Sequence, residues 1–91
     1  MTDQTSSGLL GLRREYLSAM PNRLEELRED IDALKEGSHD AVLSLRGRLH
    51  RLAGSGGSYG FSELSAIARE GERWLAAYAS SKETALSLIH I

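Results

Sequence analysis

His50 is the residue in this chain best equipped for chemistry. An imidazole can act as a nucleophile, move a proton or ligate a metal. It opens the run His-Arg-Leu-Ala-Gly-Ser-Gly-Gly-Ser-Tyr-Gly, residues 50–60. Advancing about 100° per residue along a helix gathers Val42, Leu45, Leu49, Leu52 and Gly56 into a core stripe. His50 falls on the border of that stripe with solvent. Its neighbours on the border are Arg46, Gly47, Ala53 and Gly54 one turn away and Gly57 two turns away. All but Arg46 are tiny, although each glycine costs roughly 1 kcal/mol in a helix relative to Ala. The histidine is therefore expected to stand proud of a bare surface, open to the backbone or active-site rim of another protein. An isolated exposed histidine is usually only a surface residue; the ring of small residues sets this one apart.

Other chemistries fit less well. A general base normally sits in a cleft beside an orienting partner, and no Asp or Glu lies one turn from His50. His39 and His90 are isolated and the chain has no cysteine, so a zinc site and a disulfide framework lack ligands. Gly54-Ser-Gly-Gly-Ser58 could suggest a phosphate-cradling loop, but no Lys-Ser/Thr follows it and no strand precedes it.

His50-x-Leu52-x-Gly54, with Gly60 six residues on, resembles the phospho-accepting motif of histidine-containing phosphotransfer (HPt) domains, helical-bundle modules of bacterial phosphorelays. The resemblance covers residues 12–78, including the helix before the motif and the one opening at Phe61-Ser62-Glu63-Leu64. It implies that His50 takes a phosphoryl group from an aspartyl phosphate by in-line attack of a ring nitrogen, and passes it to another receiver domain. Receivers of response regulators are the implied partners, with a hybrid histidine kinase as a further candidate. The receiver would supply Mg²⁺, this chain no cofactor and no metal of its own. The module would be a cytoplasmic carrier in a two-component system, not a self-sufficient enzyme. Arg46, Gly47, Arg51, Ala53, Gly54 and Gly57 are the expected docking residues around His50. One departure matters. The family often has Lys three positions after the histidine, helping to hold the phosphoryl group, and here that position is Ala53. Arg46 and Arg51 are the nearby cations, Arg51 about 100° round the helix from His50. The competing reading is a helical protein–protein interaction module that is not phosphorylated.

Ninety-one residues make one small domain with a limited core. The net charge of −2 argues against a nucleic-acid footprint. No apolar run approaches the roughly 18 residues of a membrane span, and a basic-then-apolar leader is lacking. A single proline and few β-branched residues point to an all-α class. The expected architecture is an antiparallel four-helix bundle over residues 9–91, its last helix short or truncated, after a disordered segment 1–8.

In chain order, Leu9, Leu12, Tyr16, Leu17 and Met20 have helical spacing, Pro21 interrupts it, and Leu24, Leu27, Ile31 and Leu34 resume it. This predicts a long helix over 9–36 bent near Pro21, or two end to end, stopped by Gly37. Ser38 is the expected N-cap of the motif helix, 39–56, with Asp40 in its first turn and the glycine cluster fraying its end. A helix over 62–79 follows, with Leu64, Ile67, Ala68, Gly71, Leu75 and Tyr78 as its stripe and Trp74 at the core edge. Ser80 and Glu83 fit a capping box for a final helix of about 11 residues. That helix is too short to cover the bundle, so the stripe from Leu24 to Leu34 is expected to be partly uncovered. A continuation of the chain beyond Ile91, or a weakly bound second copy, would then cover it. Residues before Leu12 folding back over the gap are the alternative.

Overall fold

The computed structural model describes the backbone of residues 2–89 and the side-chain surroundings of residues 8–81. Three helices follow one another: α1 (Thr2–Lys35), α2 (Asp40–Ser58) and α3 (Ser62–Ile89), with no strand among the described residues. α2 is the central element. It packs antiparallel against both neighbours, while no Cα atoms of α1 and α3 come within 8 Å of each other among the described residues. Because α2 is the shortest, α1 overhangs one of its ends and α3 the other, and the molecule extends 68 × 19 × 15 Å. Its radius of gyration of 17.1 Å exceeds the roughly 12 Å of a compact chain this long. No helix is long and apolar enough to cross a membrane among the described residues.

The two connections are built alike. Gly37 has φ +89° and Gly60 φ +85°, a conformation that disfavours side chains with a Cβ. Gly37 donates to the Leu34 carbonyl and Ser38 to that of Ala33; Gly60 donates to Gly57 and Phe61 to Gly56. Each set is a Schellman closure, using carbonyls that the helix end leaves without partners. One correction concerns the cap of α2. Ser38 does not cap α2: it lies one residue before the N-cap position, which His39 holds without a side-chain capping bond, while the Ser38 N–H closes α1.

The helix count is also corrected: three, not four. The break expected at Ser80-Ser81 does not occur, and α3 runs through it. No Gly or Pro lies between Gly71 and Ile91, and two serines cost only about 0.5 kcal/mol each against Ala, too little to end a helix. The side chain of Glu83, the other half of the expected capping box, lies outside the described residues. Likewise α1 passes through Pro21 unbroken. Pro21 and Leu17 are exposed, so water can serve the carbonyl that proline leaves without a donor. α1 begins at Thr2, within the segment expected to be disordered, and does not fold back over the bundle; the side chains of residues 1–7 lie outside the described residues.

Two apolar clusters hold the helices together. One gathers Leu34, Ala41, Leu45 and Leu75 near the α1–α2 turn. The other gathers Tyr16, Leu52, Ala53 and Ala68 near the α2–α3 turn, with Met20, Phe61 and Leu64 against it. Tyr16 pins α1 there: its hydroxyl pairs with Ser55 Oγ at 2.8 Å and its ring lies 5.7 Å from Phe61. Arg13 Nε donates to the Tyr59 carbonyl at 2.8 Å. On the other flank Arg48 pairs with Glu26 and, at 2.8 Å, with Asp30.

Candidate functional site

Two neighbours divide the surface of α2 unequally. α1 and α3 cover the face carrying Ala41, Leu45, Leu52, Ala53 and Gly56. What remains is an outward ridge of Leu43, Arg46, His50, Gly54 and Gly57, all exposed. His50 stands in the middle of the helix with its side chain 79% exposed. Its Nδ1 lies 3.3 Å from Glu72 Oε2, reached across the α2–α3 interface.

Glu72 is the partner of His50 that the sequence pattern did not reveal. A carboxylate can only accept a hydrogen bond, so Nδ1 carries the hydrogen in this pair. The neutral ring then bears its lone pair on Nε2. Register supplies the contact. Gly71 lets α3 come close enough for a Cβ at that position to lie 3.3 Å from the Leu49 methyls. Leu49 against Gly71 places the next residue of each helix side by side, and those are His50 and Glu72.

The small residues divide into two kinds. An added Cβ on Gly54 meets nothing within 4 Å, and one on Gly57 only the Ser65 hydroxyl at 3.6 Å. The surface beside His50 is therefore bare on that side. Gly56 is buried, and a Cβ there would lie 3.3 Å from the Ser65 backbone nitrogen. Ser65 Oγ donates to the Ala53 carbonyl at 2.7 Å. These close contacts with α3 keep the glycine run helical through Ser58, where fraying after Gly56 is the sequence expectation.

Ala53 is not on the open border. It is 4% exposed and belongs to the core, because α3 lies on that side of His50. Gly47 is half-buried, and its missing side chain makes room for Arg51, whose guanidinium would lie 3.5 Å from a Cβ there. Arg51 is thus folded back beside the ridge. Arg46 is exposed on it, one turn before His50. Trp74 is more than a core edge: it is 60% exposed and stacks on Tyr78 at 5.4 Å. No group of three or more His, Cys, Asp or Glu side chains placed to hold a metal occurs among the described residues.

The chemistry open to this arrangement is nucleophilic attack by an exposed nitrogen whose tautomer is set by a carboxylate behind it. The family model of the Hpt domain matches residues 11–90 of the chain. No curated protein and no solved structure matches it.

Proposed function

Because the chain belongs to the Hpt domain family, whose members carry phosphoryl groups and are not kinases, we propose that it is a phosphorelay carrier with His50 as its phospho-acceptor. The observation that supports this most is the exposed His50 with Nδ1 held by Glu72, which leaves the ring's lone pair on Nε2. In the forward step the Nε2 lone pair forms an N–P bond to the phosphorus of a receiver's aspartyl phosphate. The P–O bond to the aspartate breaks, and the carboxylate leaves with that electron pair. The Nδ1 proton stays on the ring, and Glu72 balances the positive charge that the ring gains. Transfer to the next receiver reverses these steps. The receiver brings the acidic pocket and the Mg²⁺.

Docking falls to the ridge. Gly54 and Gly57 admit the receiver's surface, Leu43 offers an apolar contact two turns before His50, and Gly47 seats Arg51. With Ala53 buried, Arg46 and Arg51 are the α2 cations nearest the incoming phosphoryl group. The relay reading places the module in the cytoplasm, beside its receivers. Radiolabelled phosphotransfer from a phosphorylated receiver tests it. Wild type should gain an acid-labile, base-stable label and His50→Gln none; equal labelling of both would refute the assignment.

A further inference from the structure

The chain carries a net charge of −2, yet the face that bears His50 is basic. No Asp or Glu occurs between Asp40 and Glu63, while Arg46, Arg48 and Arg51 do. Arg48 is paired with Glu26 and Asp30. Arg46 and Arg51 are exposed, and neither is in an ion pair among the described residues. Arg51 also lines, with Arg23, a cleft of 440 Å³ between α1 and α2. The carboxylate on the wall of that cleft, Glu26, is the one that Arg48 holds.

The flank of α3 adds to this charge. α2 and α3 run antiparallel, with Leu49 against Gly71 and Ala53 against Ser65. The first contact sets His50 level with residue 70 and the second with residue 68, so Arg69 stands at the height of His50. The same register sets Arg73 at the height of Arg46, about 6 Å along the axes. Gly71 packs on Leu49 and Glu72 reaches His50. Arg69 and Arg73 lie about 60° and 100° further round α3, in the direction that leads from Gly71 through Glu72 to solvent. Both are exposed, and neither is in an ion pair among the described residues. Glu63 and Glu70 fall about 160–180° from Glu72, on the back of α3. Four arginines thus flank His50, while Glu72, the carboxylate between them, is engaged with Nδ1.

Resting on the relay reading of His50, we propose that this face selects an acidic partner: a receiver whose phospho-aspartate pocket is bordered by carboxylates, with Arg69 and Arg73 of α3 as selectivity determinants. Charge complementarity chooses this occupant. The bare ridge buries little apolar area, so encounter depends on steering. Unpaired cations gathered on one face raise the rate of encounter with an acidic surface by about 10- to 1,000-fold, and they repel a basic one. Arg69 and Arg73 stand across the helix interface from the imidazole, at the rim of the docking surface. They act on encounter, whereas Nε2 and Glu72 carry the formation of the N–P bond.

Single-turnover transfer from a panel of receivers phosphorylated with acetyl phosphate, followed over receiver concentration and from about 20 to 500 mM NaCl, tests this. For a receiver that labels His50, the second-order rate constant should fall about tenfold over that range, while the rate at saturating receiver changes less than about twofold. Arg69→Glu with Arg73→Glu should lower the second-order constant about tenfold at low salt and flatten its salt dependence, with the saturated rate and the melting curve unchanged. Lysine at both positions should keep the wild-type behaviour. Arg28→Glu, the same charge change on the groove side of α1, should stay within about twofold of wild type. Amides in place of the carboxylates that border the receiver's pocket, outside its metal site, should reproduce the effect of the double reversal on α3. Labelling of His50 that ignores salt, that ignores the reversals on α3, that changes in saturated rate alone, or that Arg28→Glu slows as much would overturn this inference and leave the relay reading standing. A panel in which no receiver labels His50 would defeat the relay reading, and this inference with it.

Discussion

The ridge of α2 and the groove between α1 and α3 are both open to solvent, and they expose opposite materials. The ridge presents two glycines, an imidazole, Arg46 and one apolar side chain, Leu43, with Arg51 folded back beside it. The groove presents leucine, isoleucine, tryptophan and tyrosine, with Lys35 as its charged lining residue. Bare helix beside a nucleophile lets a partner approach, exchange a group and leave, because little apolar area is buried. A continuous apolar trough gains by staying covered.

The same substitution placed two residues apart separates exposed from packed glycine on α2. Gly56→Leu should lower stability by about 3 kcal/mol, since the site is buried against the start of α3; thermal unfolding reads this directly. Gly54→Leu should keep the fold, because the space around it is empty, but slow transfer from a receiver about tenfold. Equal transfer rates for wild type and Gly54→Leu would remove the docking role of the bare ridge.

Glu72→Gln sharpens the chemical half of the comparison. An amide can still accept from Nδ1, but it no longer balances charge on the ring. Transfer should slow by about three- to tenfold with an unchanged melting curve, while Glu72→Ala should also lose the single-tautomer signature in ¹⁵N spectra of the imidazole. The smallest expected effect is that of Gly54→Ala: a gain of roughly 1 kcal/mol in stability from helix propensity, with transfer within about twofold of wild type.

Much of this was legible in the sequence. Amphipathic stripes gave the helices, Gly37 and Gly60 their stops, and the small residues around His50 its exposure. These are local signals, readable within a turn or two of the residue concerned. What escaped depends on how helices meet. Ala53 looked like a border residue until α3 was placed on that side. The His50–Glu72 contact spans 22 positions and follows from the register of Leu49 against Gly71; that glycine signalled a close approach without naming what approached. Ser80-Ser81 misled for another reason. The two serines lower helix propensity locally, but the sequence offers no competing turn there, as it does at Gly37 and Gly60; at Pro21 the single long helix is one of the two readings the spacing allowed. The stripe from Leu24 to Leu34 was expected to be partly uncovered because a fourth helix would be short. Leu24 and Ile31 are exposed, but Leu27 is half-buried and Leu34 lies in the core, and the expected fourth helix is the continuation of α3.

The account rests on Nε2 of His50 being the atom that receives the phosphoryl group. ³¹P and ¹⁵N NMR of protein phosphorylated by a receiver, with ¹⁵N in the histidine rings, observes that atom directly. The predicted result is one phosphorus coupled to Nε2 of His50, with Nδ1 still protonated. Phosphorus on Nδ1, on His39 or on any other side chain would contradict it.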